Sequence, residues 1–281
     1  MLEALSAEAL KMRTHKATWF LVWMFPIALT IIMLIAIVSG GAGAAPPGQT
    51  AADWIENTSI IWFVPNNAVG RYLISAFVAV MFAGEYGWNT WKLIVPHRRR
   101  TSLIGAKYAL TIILFSISFV LTAAITTGLT FLNDVVTDSP LPAGVGAATL
   151  LDAHSKAALA ALAPVLIAIG YASLAAVLSR STIAALVIAI VATSVEQLIF
   201  NFGPQLSVHF ASVVWPLYHA LPGHHIANLA EWIREGAALK REFPGGHVVS
   251  IAWTTSAAVL IAWIAALWGG TLAAFKRQDI N

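Results

Sequence analysis

One stretch of this chain gathers residues with evident chemical use. It reads Gly84-Glu85-Tyr86-Gly87-Trp88-Asn89-Thr90-Trp91-Lys92-Leu93-Ile94-Val95-Pro96-His97-Arg98-Arg99-Arg100 and continues through Thr101 to Lys107. Trp88, Trp91 and Val95 fall at i, i+3, i+7, while Glu85, Asn89 and Lys92 form a polar row. This spacing predicts a short amphipathic helix. Pro96 ends it, because the residue before a proline is pushed away from α geometry. Two readings follow: a docking element for a partner, or a solvated interfacial loop with a basic turn. Periodicity alone favours the second.

Other reactive groups are isolated. Glu196 sits in an apolar run, where a carboxylate costs about 2.5–3.5 kcal/mol at mid-bilayer and less near the interface. It can line a pathway or couple to a proton, or it can satisfy a helix end, since Asn201, Gly203 and Pro204 follow soon after. His219, His224 and His225 contain imidazoles that could ligate a transition metal. Neighbouring histidines on a helix diverge by about 100°, so an interfacial, pH-responsive surface is the better reading and no metal site is assigned. With no cysteine, disulfides, thiolate metal sites and cysteine nucleophiles are excluded. Gly-x-x-x-x-Gly-Lys-[Ser/Thr], His-Glu-x-x-His and Gly-x-Ser-x-Gly are absent as well, so no catalytic residue is assigned.

The elements that must position these groups lie in a bilayer. Of 281 residues, 59% are apolar and 10% charged, against about half and a quarter in soluble domains. The net charge of +3 is too slight to point to nucleic acid. Apolar runs at 17–39, one ending near 83 with an unclear start, 109–132, 157–178, 183–200 and 251–275 predict six spans. Residues 1–16 place Leu2, Leu5, Ala9, Met12 and Lys16 on one face, a basic amphipathic helix suited to the interface. The fold expected is an all-α integral membrane protein, a single transmembrane domain over 1–281.

Six spans put both termini on one side. With the N-terminus inside, eleven basic residues, among them Lys92, Arg98, Arg99, Arg100, Lys107, Lys276 and Arg277, are cytoplasmic. Five stay outside: Arg71, Lys156, Arg234, Lys240 and Arg241. The positive-inside rule then selects cytoplasmic N and C termini in a multi-pass protein of the cell membrane. Three outer segments result: 40–67, Gly/Pro-rich and then aromatic; 133–156; and 201–250. The last contains Ile226, Leu229, Ala230 and Ile233 at i, i+3, i+4, i+7, opposite Glu231, Arg234 and Glu235, which predicts an interfacial helix.

Glu85, Thr90, Pro96, Arg100 and Lys107, in this order, resemble the cytoplasmic signature of type-2 ABC exporter permeases, with Asn89 where glycine is usual. Residues 5–19 are similar to that family's N-terminal helix, and Phe275-Lys276-Arg277-Gln278-Asp279-Ile280 to its ending. The resemblance implies a transmembrane subunit forming the translocation pathway of an exporter. It would lack an ATPase, and ATP and Mg would be bound by a partner ABC ATPase subunit. A second permease chain, identical or homologous, would complete it. It implies a coupling helix between spans two and three, within 84–107. Glu85, Tyr86, Trp88, Asn89, Thr90, Trp91, Pro96 and Arg100 would then couple to the ATPase, with Trp88 and Trp91 as apolar knobs. It also favours the helix-break role for Glu196. The cargo expected is amphipathic, lipid-like, peptide or drug-like. The alternative is a stand-alone secondary transporter or channel, which would place several ionisable groups in the membrane.

Overall fold

The computed structural model describes residues 2–46, 48–87 and 90–278. Five helices are long and apolar enough to cross a membrane: α5 (Ala68–Gly87), α7 (Arg100–Val136), α8 (Ala147–Ser179), α9 (Thr182–Ala220) and α11 (Trp253–Arg277). Before α5 come α1 (Leu2–Arg13), α2 (Lys16–Leu21), α3 (Met24–Val38), α4 (Ala51–Thr58) and a 3₁₀ segment Ile60–Asn66. The short α6 (Thr90–Ile94) and a 3₁₀ turn Val95–His97 join α5 to α7. Between α9 and α11 lie α10 (Pro222–Glu235) and two strands, β1 (Arg241–Phe243) and β2 (His247–Val249).

The central element is α8, the most buried of the five, which packs against α5, α9, α10, α11 and the 3₁₀ segment. Its sequence explains the position. Ala160, Ala161, Ala168, Gly170, Ala172, Ala175 and Ala176 leave little side chain between backbones, and small residues are what let helices approach closely where lipid gives no hydrophobic drive. The outer surface is the reverse. Ile183, Val187, Val191 and Val195 follow each other every four residues along α9, and all are exposed. Such a stripe has no place in water but is ordinary against acyl chains. The molecule is a helical, membrane-embedded protein.

The first apolar run does not form one long helix. It is split into α2 and α3 at Val22–Trp23, and α3, with 15 residues, is about 22 Å long against a hydrocarbon core of about 30 Å. Pro26 explains the split. It has no N–H to offer the carbonyl four residues earlier, and that carbonyl, of Val22, accepts instead from the Ser118 hydroxyl of α7 at 2.7 Å. The chain break expected at Asn201–Pro204 is also displaced. α9 runs through it and turns at Phe210, whose backbone is non-helical (φ −129°, ψ 36°). Here Pro204 frees the carbonyl of Phe200, which accepts from Arg241 Nη2 at 3.2 Å. Past the turn the chain doubles back: a Cβ on Gly203 would lie 2.9 Å from the Tyr218 ring, although 15 residues of straight helix would part them by about 22 Å.

Segment 201–250 contains the helix expected around 226–233, as α10, and a hairpin that was not expected. The two strands pair antiparallel, Arg241 with Val249 and Phe243 with His247. Phe243 stacks on Trp215 at 4.8 Å and meets the edge of Tyr218 at 5.0 Å. Segment 40–67 folds onto the bundle through buried tryptophans. Trp54 donates from its indole to Asp134 Oδ2 at 2.7 Å, and Trp62 donates to His154 Nδ1 at 3.0 Å.

Between the 3₁₀ segment and α5 the backbones nearly touch, because Gly70 stands where any Cβ would run into the Val64 carbonyl. Gly70→Val should destabilise the protein by about 1–3 kcal/mol, the scale of core overpacking. Thermal unfolding in detergent checks this, with Gly269→Val, where a Cβ meets open space, as the control.

Candidate functional site

Two buried charge clusters stand at different heights in the bundle. The first lies at the end that carries both termini. Lys107 of α7 is fully buried, and its three ammonium hydrogens are taken by Glu8 Oε1 of α1 at 3.0 Å, Glu85 Oε1 of α5 at 2.9 Å and the Met81 carbonyl at 3.0 Å. Glu85, also buried, accepts in addition from Lys11 and from the Thr90 hydroxyl. Two carboxylates and two ammonium groups therefore balance. Burial of ions is tolerable only when each is paired and hydrogen-bonded. This arrangement pairs every charge through α1, α5, α6 and α7 together, while Glu8 Oε2 is left without a partner among the described residues.

The same end is tied to α11. Arg100 donates to the carbonyls of Phe275, Lys276 and Gln278 at 2.8, 2.9 and 2.7 Å, capping the last turn with a cation where the helix dipole is negative. Tyr86 donates to Gln278 Oε1 at 2.6 Å, and Gln278 donates to the Val177 carbonyl of α8 at 2.6 Å.

The segment between α5 and α7 is not one amphipathic helix. α6 is a single short piece ending at Ile94, and Val95, Pro96 and His97 follow as a 3₁₀ turn. The α-helix thus stops before Pro96, although Val95 keeps a helical turn instead of the extended backbone usual before proline. Trp91 does not face outward as a knob. It is buried, its ring centroid 4.6 Å from that of Phe275 and tilted 54° to it, with the Lys107 ammonium 5.3 Å from its own. A cation held over indole is stabilised by the ring quadrupole, which explains its inward turn. Trp88 and Asn89 lie outside the described residues. What this segment presents to its surroundings is Lys92, Leu93, Pro96, Arg98 and Arg99, and Leu93 is 73% exposed. Sequence reasoning missed Glu8 and Lys11 as members of the cluster; their i, i+3 spacing on α1 was the available signal. It also missed Leu93 as the outward apolar residue.

The second cluster lies toward the opposite end. Arg71, expected outside, is instead buried in α5 and pairs with Glu196 of α9 at 2.6 Å, both side chains fully enclosed. Tyr171 of α8 donates to the other carboxylate oxygen at 3.2 Å. Glu196 thus bridges three helices. Among the described residues, Arg71 Nε and Nη2 and the hydroxyls of Ser75 and Thr193 have no partner. Gly223, at the start of α10, sits against the backbone of Glu196, so the folded-back chain reaches the depth of the pair.

His224 and His225, expected on an interfacial surface, are both buried on α10. His225 contacts the His219 carbonyl at 2.8 Å and Ser256 Oγ at 3.1 Å. Asn228, not singled out by sequence, joins three pieces: it donates to the Ile251 carbonyl and Ser256 Oγ and accepts from the Leu239 N–H.

Burial first, then the neighbouring His225, His219 and Arg241, push His224 down from its ordinary 6.5 to about 3. A base whose folded pKa is depressed stabilises the fold above its unfolded pKa and loses that contribution as pH falls. The folded state should therefore weaken as pH drops below 6.5 toward 3, and His224→Phe should flatten that slope in unfolding measured across pH. For the ion pair, Arg71→Met or Glu196→Gln alone should cost about 3–5 kcal/mol, because each strands a buried charge or its partner. The double variant Arg71→Met/Glu196→Met should recover most of that loss in the same unfolding assay. Comparison of the chain with protein-family models, curated proteins and solved structures returned no match.

Proposed function

We propose that this chain is the transmembrane subunit of an ATP-binding-cassette exporter, moved by a separate ATPase that binds ATP and Mg. The observation that carries the reading is the convergence of the motif residues. Glu85, Thr90, Arg100 and Lys107, which bear the family resemblance, are the residues that brace the α5–α7 connection against α1, α7 and α11. A push on α6 in such an arrangement would move four helices as a body rather than bend a loop, which is what rigid-body switching between accessible states requires.

In this reading the end with both termini faces the cytoplasm, six segments cross the cell membrane with α2 and α3 as the first, and two permease chains pair. The ATPase meets the outward residues Lys92, Leu93, Pro96, Arg98 and Arg99. Three of these are basic, so the facing groove of the ATPase is acidic around an apolar pocket.

A second reading, a stand-alone secondary transporter, is favoured by one feature, the enclosed Arg71–Glu196 pair with its unpartnered neighbours. It predicts flux driven by an imposed proton gradient without ATP, whereas the exporter reading predicts flux only with ATP and the ATPase.

The discriminating experiment is co-purification with an ABC ATPase subunit co-expressed with the chain, taken from an adjacent reading frame where that frame encodes one. Leu93→Asp should weaken ATPase association by about tenfold, the scale of losing one central apolar anchor, while membrane insertion and thermal unfolding stay as in the wild type. Unchanged association and unchanged ATP-coupled transport would overturn the assignment of this surface.

A further inference from the structure

The end of the bundle away from the termini holds a cavity of about 420 Å³ between the 3₁₀ segment, α8, α9, α10 and β1, within the size range of small-molecule sites. Its lining mixes the apolar Trp62, Phe63, Phe200 and Ile226 with Arg234, Lys240 and Arg241, against the single carboxylate of Glu231. Arg234 and Arg241 lie over the rings of Phe63 and Phe200, at 5.9 and 4.7 Å. Arg234 already pairs with Glu231 at 2.7 Å, which leaves Lys240 and Arg241 at the rim without a carboxylate partner among the described residues. Two buried polar atoms of this lining have no partner among the described residues: the Nε donor of Arg241 and the Oδ1 acceptor of Asn66. A buried polar group left unpaired is costly, so the pattern asks for a ligand with an anionic oxygen and a hydroxyl.

The cavity shares its Trp62 wall with a second hollow. Trp62 also lines a groove of about 180 Å³ between α7 and α8, whose other walls include Phe115, Phe119, Val120 and Leu162. Its indole N–H donates to His154, and the ring forms a wall common to a polar hollow and an apolar one. Val120 and Leu162 are both exposed on the lipid-facing side, so the groove is open laterally to acyl chains.

We propose that these two hollows together bind a single-chain anionic amphiphile. Its acidic head sits between Lys240 and Arg241 with its hydroxyl toward Asn66, and its chain passes Trp62 into the α7–α8 groove. As the seat of the exported molecule this rests on the exporter reading; as a binding site it does not, and its test needs no ATPase.

The test uses radiolabelled dodecyl phosphate, below its micellar range, with the chain reconstituted in phosphatidylcholine vesicles and empty vesicles subtracted. Saturable binding is expected, weakened about tenfold by Lys240→Gln and by Arg241→Gln. Leu162→Trp, which fills the groove, should weaken dodecyl phosphate about tenfold and leave butyl phosphate unchanged. That chain-length discrimination would not follow from general misfolding. Arg241 also supports the Phe200 carbonyl, so should its variant fail to fold, the exposed Lys240 and the groove variant decide between the outcomes. Several results would overturn the proposal. Wild-type binding that does not saturate, or dodecyltrimethylammonium binding as tightly, would remove the anionic amphiphile. Full displacement by inorganic phosphate at equal concentration would assign the cavity to a free anion. Equal loss of both chain lengths in Leu162→Trp would remove the groove.

Discussion

An ammonium group enclosed in a helical bundle has to be surrounded by acceptors, and Lys107 sets the terms for one whole end of this molecule. Its hydrogens need three oxygens within about 3 Å, in directions that the lysine stem fixes. One of them is a backbone carbonyl of α5, one is Glu85 a turn further along the same helix, and one is Glu8 on α1. Meeting that need holds α1 onto α7, turns the start of the α5–α7 connection inward through Thr90, and places Trp91 beneath the charge. Each member then depends on the others: without Lys107, two carboxylates would share a buried site with Lys11 alone, and like charges so close are unfavourable. The cluster is therefore a joint rather than a contact.

A second constraint acts on the backbone. Inside a bilayer no water is present to satisfy a carbonyl that a proline leaves free. Two of the freed carbonyls are answered from elsewhere in the sequence, Val22 by Ser118 and Phe200 by Arg241. These repairs are also positional devices. The first fixes the split helix α2–α3 against α7. The second fastens the β-hairpin to α9, which brings Arg241 to the rim of the cavity. The polar chemistry at the far end of the bundle thus follows from how the chain accommodates Pro204.

Between these ends, Arg71 and Glu196 link α5 to α9, with Tyr171 adding α8. The helix N-terminus of α10 reaches the same depth, and the cavity opens just beyond it, with Gln197 and Phe200 of α9 on its wall. A joint at one end, and a paired charge and a hollow toward the other, lie along one stack of helices centred on α8. α6 is connected to the cavity through a continuous packed route along α5 and α8.

Composition and local runs were enough to establish the bilayer as solvent, the long apolar helices α7, α8 and α11, and the concentration of interacting charge around Glu85 and Lys107. Those features depend on the solvent and on nearest neighbours, both of which can be read along one dimension. Folding alone settled that Trp91 points inward, that Arg71 belongs to a span, that His224 is buried and that α9 passes Pro204 to turn at Phe210. Each of these rests on partners brought in from other elements. Trp91 meets Phe275 and Lys107, Arg71 meets Glu196, His224 packs on Tyr218 of the folded-back α9, and the carbonyl freed by Pro204 meets Arg241. A charge or a freed carbonyl looks the same along the chain whether it faces water or a complementary group, and in an apolar medium that difference decides which way the residue must turn.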